Sequence, residues 1–254
     1  MKEITKFIKE GLKITSKTKV NKYNYHPKTK DELKDLINQL IEDRGNEGDF
    51  NDIDTSEITD MSDLFNGIDK FNGDISNWDV SNVTDMYSIF YGCKSFNRSL
   101  AKWKVFNVTN MEFMFYECES FNQPLTDWDV SNVTDMKYMF DGCKSFNQPL
   151  NNWDVSNVTK MAYMFHGCQS FNQPLNNWDV SNVTNMYSMF YGCESFNRQL
   201  NKWAVSKVTN MYGMFYECKL FNQDISNWDV SNVGYNKDIF KKCPIEEKYK
   251  PNFK

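Results

Sequence analysis

Residues 171–195, FNQPLNNWDVSNVTNMYSMFYGCES, decide how this chain is read, because nearly the same 25 residues recur in tandem from about residue 50 to residue 243. The tryptophan returns at Trp78, Trp103, Trp128, Trp153, Trp178, Trp203 and Trp228, and the cysteine at Cys93, Cys118, Cys143, Cys168, Cys193, Cys218 and Cys243. Those are all seven tryptophans and all seven cysteines in the chain. A fixed period of this size marks a solenoid, in which each repeat is one coil that buries its apolar side only against its neighbours. An earlier, worn coil spans residues 48–72, where Ile53 stands for Trp78, Thr55 for Val80, Ile58 for Val83 and Ile68 for Cys93. The count comes to about eight coils.

Within a coil, Leu175, Trp178, Val180 and Val183 follow L-x-x-W-x-V-x-x-V, whose W-x-V part alternates as a half-buried strand does. Met186, Met189, Phe190 and Cys193 fall at i, i+3, i+4 and i+7, one face of a short helix, with Ser181 or Asn182 as its cap. The expected fold class is therefore an α/β repeat solenoid, with one short parallel strand and one short helix per coil. At about 4.8 Å per strand, eight coils would make a sheet roughly 35–40 Å long. Gly92, Gly142, Gly167 and Gly192 share their place with Glu117, Glu217 and Lys242, so no unusual backbone angle is expected there.

Residues 1–47 read as an N-terminal helical cap, 48–243 as the repeat array and 244–254 as a C-terminal tail. Ile4, Phe7, Ile8 and Leu12 suggest a first amphipathic helix. Val20, Tyr23 and Tyr25 suggest a brief extended segment. The run TKDELKDLINQLIEDRG then carries both helix ends: Thr29 with Glu32 as a capping box, and Gly45 as the residue after the last turn.

A net charge of -5 and pI near 5.2 disfavour a nucleic-acid or anionic-membrane binder. Mean hydropathy of -0.66 is low, yet 16% aromatic residues argue against disorder. The sequence has no signal-peptide h-region and no membrane-length apolar run. One cysteine per coil reads as a column of reduced core thiols, with vertical disulfides as the alternative. Together these place the expected site of action in the cytoplasm, with the cell surface as alternative, and the chain as a monomer.

The phrase FNQPLNNWDVSNVTNMYSMFYGC resembles the repeat of the BspA-type leucine-rich-repeat proteins, over residues 48–243. The resemblance implies a leucine-rich-repeat-like solenoid and a role in binding other macromolecules; many members are similar to surface proteins and adhesins. This chain departs from them in showing no export signal, lipid-attachment cysteine or wall-anchor motif.

Candidate contact residues follow from the outward positions beside each tryptophan. Asp79, Asp129, Asp154, Asp179 and Asp229 form a repeated acidic stripe, suited to a protein partner with a basic surface. Alternatively, each carboxylate accepts hydrogen bonds from the turn that follows it. Two coils break the pattern. NRSLAKWKVFNVT brings Arg98, Lys104 and Phe106, and NRQLNKWAVSKVT brings Arg198, Ala204 and Lys207. Exposed basic and aromatic substitutions of this kind are candidate contacts. The Asn-Val-Thr triplets at Asn82, Asn107, Asn132, Asn157 and Asn182 match the glycosylation sequon but read as caps. His26 and His166 are the two histidines, and no metal-binding, phosphate-binding or nucleophile motif appears. The expectation is a non-enzymatic protein-binding module without cofactor or metal, acting by docking or sequestering a partner, with inhibition as one such role. Its alternatives are an exported adhesin and an acidic nucleic-acid mimic.

Overall fold

The structure, a computed structural model, describes residues 22–253. The first amphipathic stretch lies outside them. Helix α1, Lys30–Arg44, forms where its ends are written: Thr29 Oγ1 accepts from the Glu32 N–H, Glu32 reaches back to the Lys28 N–H at 2.7 Å, and Gly45 ends the helix at φ 75°. Leu33, Ile37 and Leu40 are buried against the first coil. Lys30 binds Asp60 and Ser62, while Lys34 donates to the Asp63 carbonyl at 2.9 Å. Of the extended segment that the sequence suggested, Val20 also lies outside the described residues, and the described part makes a single bridge. Tyr25 bridges in parallel to Ile53, and Asn24 N–H donates to the Asp52 carbonyl at 2.8 Å.

The repeats follow the expected 25-residue stacking but not the expected elements. Among the described residues there is no strand, and α1 is the sole α-helix; a single 3-10 turn spans Glu247–Tyr249. The α/β leucine-rich-repeat-like class, with its strand and helix per coil and its parallel sheet, is overturned. In place of a sheet, isolated parallel bridges run from Asp60↔Asp85 through Asn110, Asp135, Lys160, Asn185 and Asn210 to Tyr235.

The physical reason lies in two left-handed residues per coil. Tyr163 and Gly167 sit at φ 60° and 69°, and their counterparts, Asp63 with Gly67 through Asp238 with Lys242, do the same in every coil. A positive φ four residues apart breaks an α-helix before it closes one hydrogen bond of its own. The stretch instead becomes a run of tight turns: Met164 N–H bonds the Met161 carbonyl, His166 N–H that of Tyr163, and Cys168 N–H that of Phe165. The intervening N–H groups of Met161, Tyr163, Phe165 and Gly167 point along the stack and bond Asn185, Tyr187, Met189 and Tyr191 of the next coil, at 2.7–3.2 Å. Buried side chains at i, i+3, i+4 and i+7 therefore arise from successive turns. The L-x-x-W and V-x-x-V pairs are likewise turns, closed by Trp153 N–H to Leu150 and Val158 N–H to Val155.

Coils are locked together by the same atoms at each level. Trp153 Nε1 donates to the Leu125 carbonyl at 3.0 Å, and Cys168 Sγ lies 3.0 Å from the Phe140 carbonyl. Asn157 Nδ2 donates to the Ser131 carbonyl at 2.8 Å, so the Asn-Val-Thr asparagines are rungs between coils rather than helix caps. Rings stack in columns, with Trp128 and Trp153 centred 6.4 Å apart and 1° from parallel, and Phe115 and Phe140 5.5 Å apart. All seven thiols are free, and burial drives the ionisation of Cys118, Cys143, Cys168, Cys193 and Cys218 well above the usual thiol range.

Candidate interaction surface

The segment W-D-V-S-N turns its Trp and Val inward, leaving three outward side chains per coil. Asp79, Asp129, Asp154, Asp179 and Asp229 are all exposed, one above another. Each carboxylate also accepts from the turn that follows it. Asp129 Oδ1 takes the Ser131 N–H at 3.1 Å and its hydroxyl at 2.6 Å; Asp79 does the same with Ser81. Asp154, Asp179 and Asp229 accept from the N–H groups of Ser156, Ser181 and Ser231. These bonds favour the ionised form and hold Asp129 and Asp179 below the ordinary carboxylate range. The structural reading of the stripe is thus met, and the carboxylates still face solvent.

A depressed folded-state pKa contributes stability that is present above the unfolded value near 4 and is lost as pH falls through the folded value. Removing the carboxylate should therefore matter most where it is charged. Asp129→Ala/Asp179→Ala is expected to lower the urea midpoint at pH 7 and to lower it less at about pH 2.5. A deficit of equal size at both pH values would contradict the ionic role of these turns.

The four departures occupy the same face, but the structure gives them different work. Lys104 is exposed, and no partner for it is found among the described residues. Phe106 is 41% exposed where other coils have serine. Lys207 replaces the rung asparagine and still bridges to the coil below, but through the Asn182 side chain, its Nζ lying 2.7 Å from Oδ1, and not through the Ser181 carbonyl. Ala204 removes a carboxylate and opens a groove of about 290 Å3 with Asn176, Asn177, Trp178, Asp179 and Lys202. A larger groove of about 620 Å3 opens around Lys104, between Asp79, Asn77, Lys102, Lys22 and Tyr23. The two grooves lie at matching positions four coils apart.

Sequence reasoning missed Lys22 and Tyr23, which the extended segment carries beside the first coil. Their periodicity-free stretch held no signal for that contact. Arg98 and Arg198 prove structural: each Nε donates at 2.8 Å to an asparagine carbonyl of the preceding coil, the work of Gln148 and Gln173 elsewhere. On the opposite wall, half-exposed tyrosines stack from coil to coil, as in Tyr91 with Tyr116 at 4.4 Å. Asp141 and His166 interrupt that column and bond one another at 2.6 Å. Burial raises the Asp141 carboxyl, and the His166 contact opposes the rise. Among the described residues, no group of three His, Cys, Asp or Glu side chains is placed to hold a metal ion, and no helix is long and apolar enough to cross a membrane.

Stacked coils with a periodic outer face define a tandem-repeat protein. Residues 34–153 and 136–251 each match the family model described as "Mycoplasma protein of unknown function, DUF285", and the chain belongs to that family. No curated protein and no solved structure matches the chain.

Proposed function

We propose that the chain binds another protein, without catalysis, through the outer W-D-V-S-N face, and that coils three and seven set its specificity. The observation that carries this reading is the coincidence of groove and substitution. Two grooves on this face open at the coils whose sequence abandons the common aspartate, and Phe106 stands exposed beside the larger one. Drift alone would scatter such changes, whereas here a lysine cluster, an exposed ring and a widened surface share one place. An aromatic side chain ringed by polar groups suits a contact that matters energetically.

The face is electrostatically mixed. Asp129, Asp154 and Asp179 lie between the lysine-bearing third coil and Lys202 and Lys207 of the seventh. A partner with a basic central patch and flanking acidic groups would complement it, and such complementarity governs partner choice and encounter rate more than affinity. The resemblance of the repeat to BspA-type proteins supports a macromolecular binding role. We place that role inside a cell, as docking or sequestration.

The test restores the common residues, which the fold accommodates in the other coils. Lys104→Asp/Phe106→Ser should fold like the wild type by circular dichroism and lose, at least tenfold, the proteins that the wild type captures from lysate of its source cell. Identical capture by both chains would overturn the assignment.

A further inference from the structure

The inter-coil ladder has a direction, and its last row of donors is unmatched among the described residues. In coils one to seven, alternate N–H groups of the turn run all point toward the next coil: Met211, Gly213, Phe215 and Glu217 donate to the carbonyls of Tyr235, Lys237, Ile239 and Lys241 at 2.8–3.1 Å. The eighth coil has the same left-handed residues, Asp238 and Lys242 at φ 56° and 58°, so its N–H groups have the same orientation. Yet the N–H groups of Asn236, Asp238, Phe240 and Lys242 meet no acceptor among the described residues.

The tail packs against this end without supplying acceptors to those four N–H groups. Ile245 is buried, the Lys250 ammonium sits over the Phe240 ring, and the Tyr249 carbonyl accepts from Ile225 N–H. The ladder edge itself carries exposed Lys237, Lys241 and Lys242, of which Lys242 pairs with Glu217 and Lys241 lies 3.6 Å from Asp238, with Tyr235 70% exposed at its start. Four aligned N–H dipoles in alternating left- and right-handed backbone form a concave donor row that favours negative or carbonyl oxygen. At the other end of the stack, α1 places Lys30 and Lys34 over the first coil.

We propose that this C-terminal edge is a second binding site, which takes an acidic polypeptide segment, folded into the same run of turns as the coils, as an additional rung. The occupant follows from what fills the identical ladder elsewhere in the chain: a row of backbone carbonyls at alternate residues. Two copies joined by this edge would set donors against donors, and a head-to-tail stack is blocked because α1 covers the first coil. The lysines select carboxylate-bearing segments, and sequence recognition would come from side chains on either side of the rung. The site is independent of the face bearing Lys104.

The probe is an end-capped peptide of residues 133–142, VTDMKYMFDG, whose Asp135, Lys137, Met139 and Asp141 carbonyls occupy this ladder on the third coil. Added to the full chain in low salt, it should shift the amide resonances of Asn236, Asp238, Phe240 and Lys242. Its affinity should exceed that of inorganic phosphate at least tenfold and fall at least fivefold in Lys237→Glu/Lys241→Glu. Before addition, those amides should exchange with solvent at least a hundredfold faster than Met211, Gly213, Phe215 and Glu217. Equal protection of the two sets, no shift at the four amides, or phosphate binding as tight as the peptide would each overturn the proposal.

Discussion

Trp153→Ala is expected to cost about 3–5 kcal/mol of folding stability, in the range of large-to-small changes in packed cores. The ring is 3% exposed and lies between Trp128 and Trp178, 6.4 and 6.5 Å away, with Phe140 at 6.3 Å. Its truncation leaves a void bounded by rigid aromatic neighbours, which relax little, and it orphans the Leu125 carbonyl that Nε1 satisfies. Because each coil rests only on its neighbours, the loss falls on both interfaces of the fifth coil at once. Trp153→Phe keeps most of the area and removes the hydrogen bond, so it should cost less. Urea denaturation followed by far-ultraviolet circular dichroism checks the order. A loss below 1 kcal/mol for the alanine variant would mean that the columns are not what holds the coils together.

The second large effect tests the backbone. Gly167 sits at φ 69°, where a β-branched residue is strained, and a Cβ there would pack 3.7 Å from Gly142. Gly167→Val should destabilise by about 1–3 kcal/mol. The reciprocal change is more informative. Glu117 holds the same place at φ 55°, and Glu117→Gly should raise stability by up to about 1 kcal/mol, despite the extra freedom glycine gives the unfolded chain. If Gly167→Val is tolerated and Glu117→Gly destabilises, the left-handed turns do not exist.

These two positions also show how much of the fold was legible in the residues. The period, the eight coils and the inward set were readable, because burial demands apolar groups at fixed places whatever the backbone does. Met161, Met164, Phe165 and Cys168 are all 0% exposed, as their spacing required. The elements were not readable from that spacing. Turns of three residues linked by left-handed corners reproduce the i, i+3, i+4, i+7 pattern of a helix face. The glycines at 92, 142, 167 and 192 were the clue, and Glu117, Glu217 and Lys242 concealed it by accepting the strain of a positive φ. In α1, by contrast, cap, stripe and terminus all agreed, and the helix formed where it was written.

The interaction surface was legible in the same partial way. Outward positions could be identified from the W-x-V alternation, since Trp and Val had to be inside. The sequence could not separate a substitution that still bridges to the coil below, such as Lys207, from one that opens a groove, such as Ala204. That distinction depends on the residue one coil below: Asn182 offers Lys207 an oxygen, whereas nothing replaces the carboxylate missing at 204. Arg98 and Arg198 likewise drop from contact to scaffold because their reach matches that of a glutamine amide.

The most direct test of the binding role is a photo-crosslinking side chain placed at Phe106 and, in a second chain, at Ser156, the same outward position two coils away. Crosslinked to its partner in cell lysate, the chain modified at 106 should give discrete adducts absent from the chain modified at 156. Adducts of equal identity and yield from both positions, or none from 106, would contradict the assignment of specificity to the third coil.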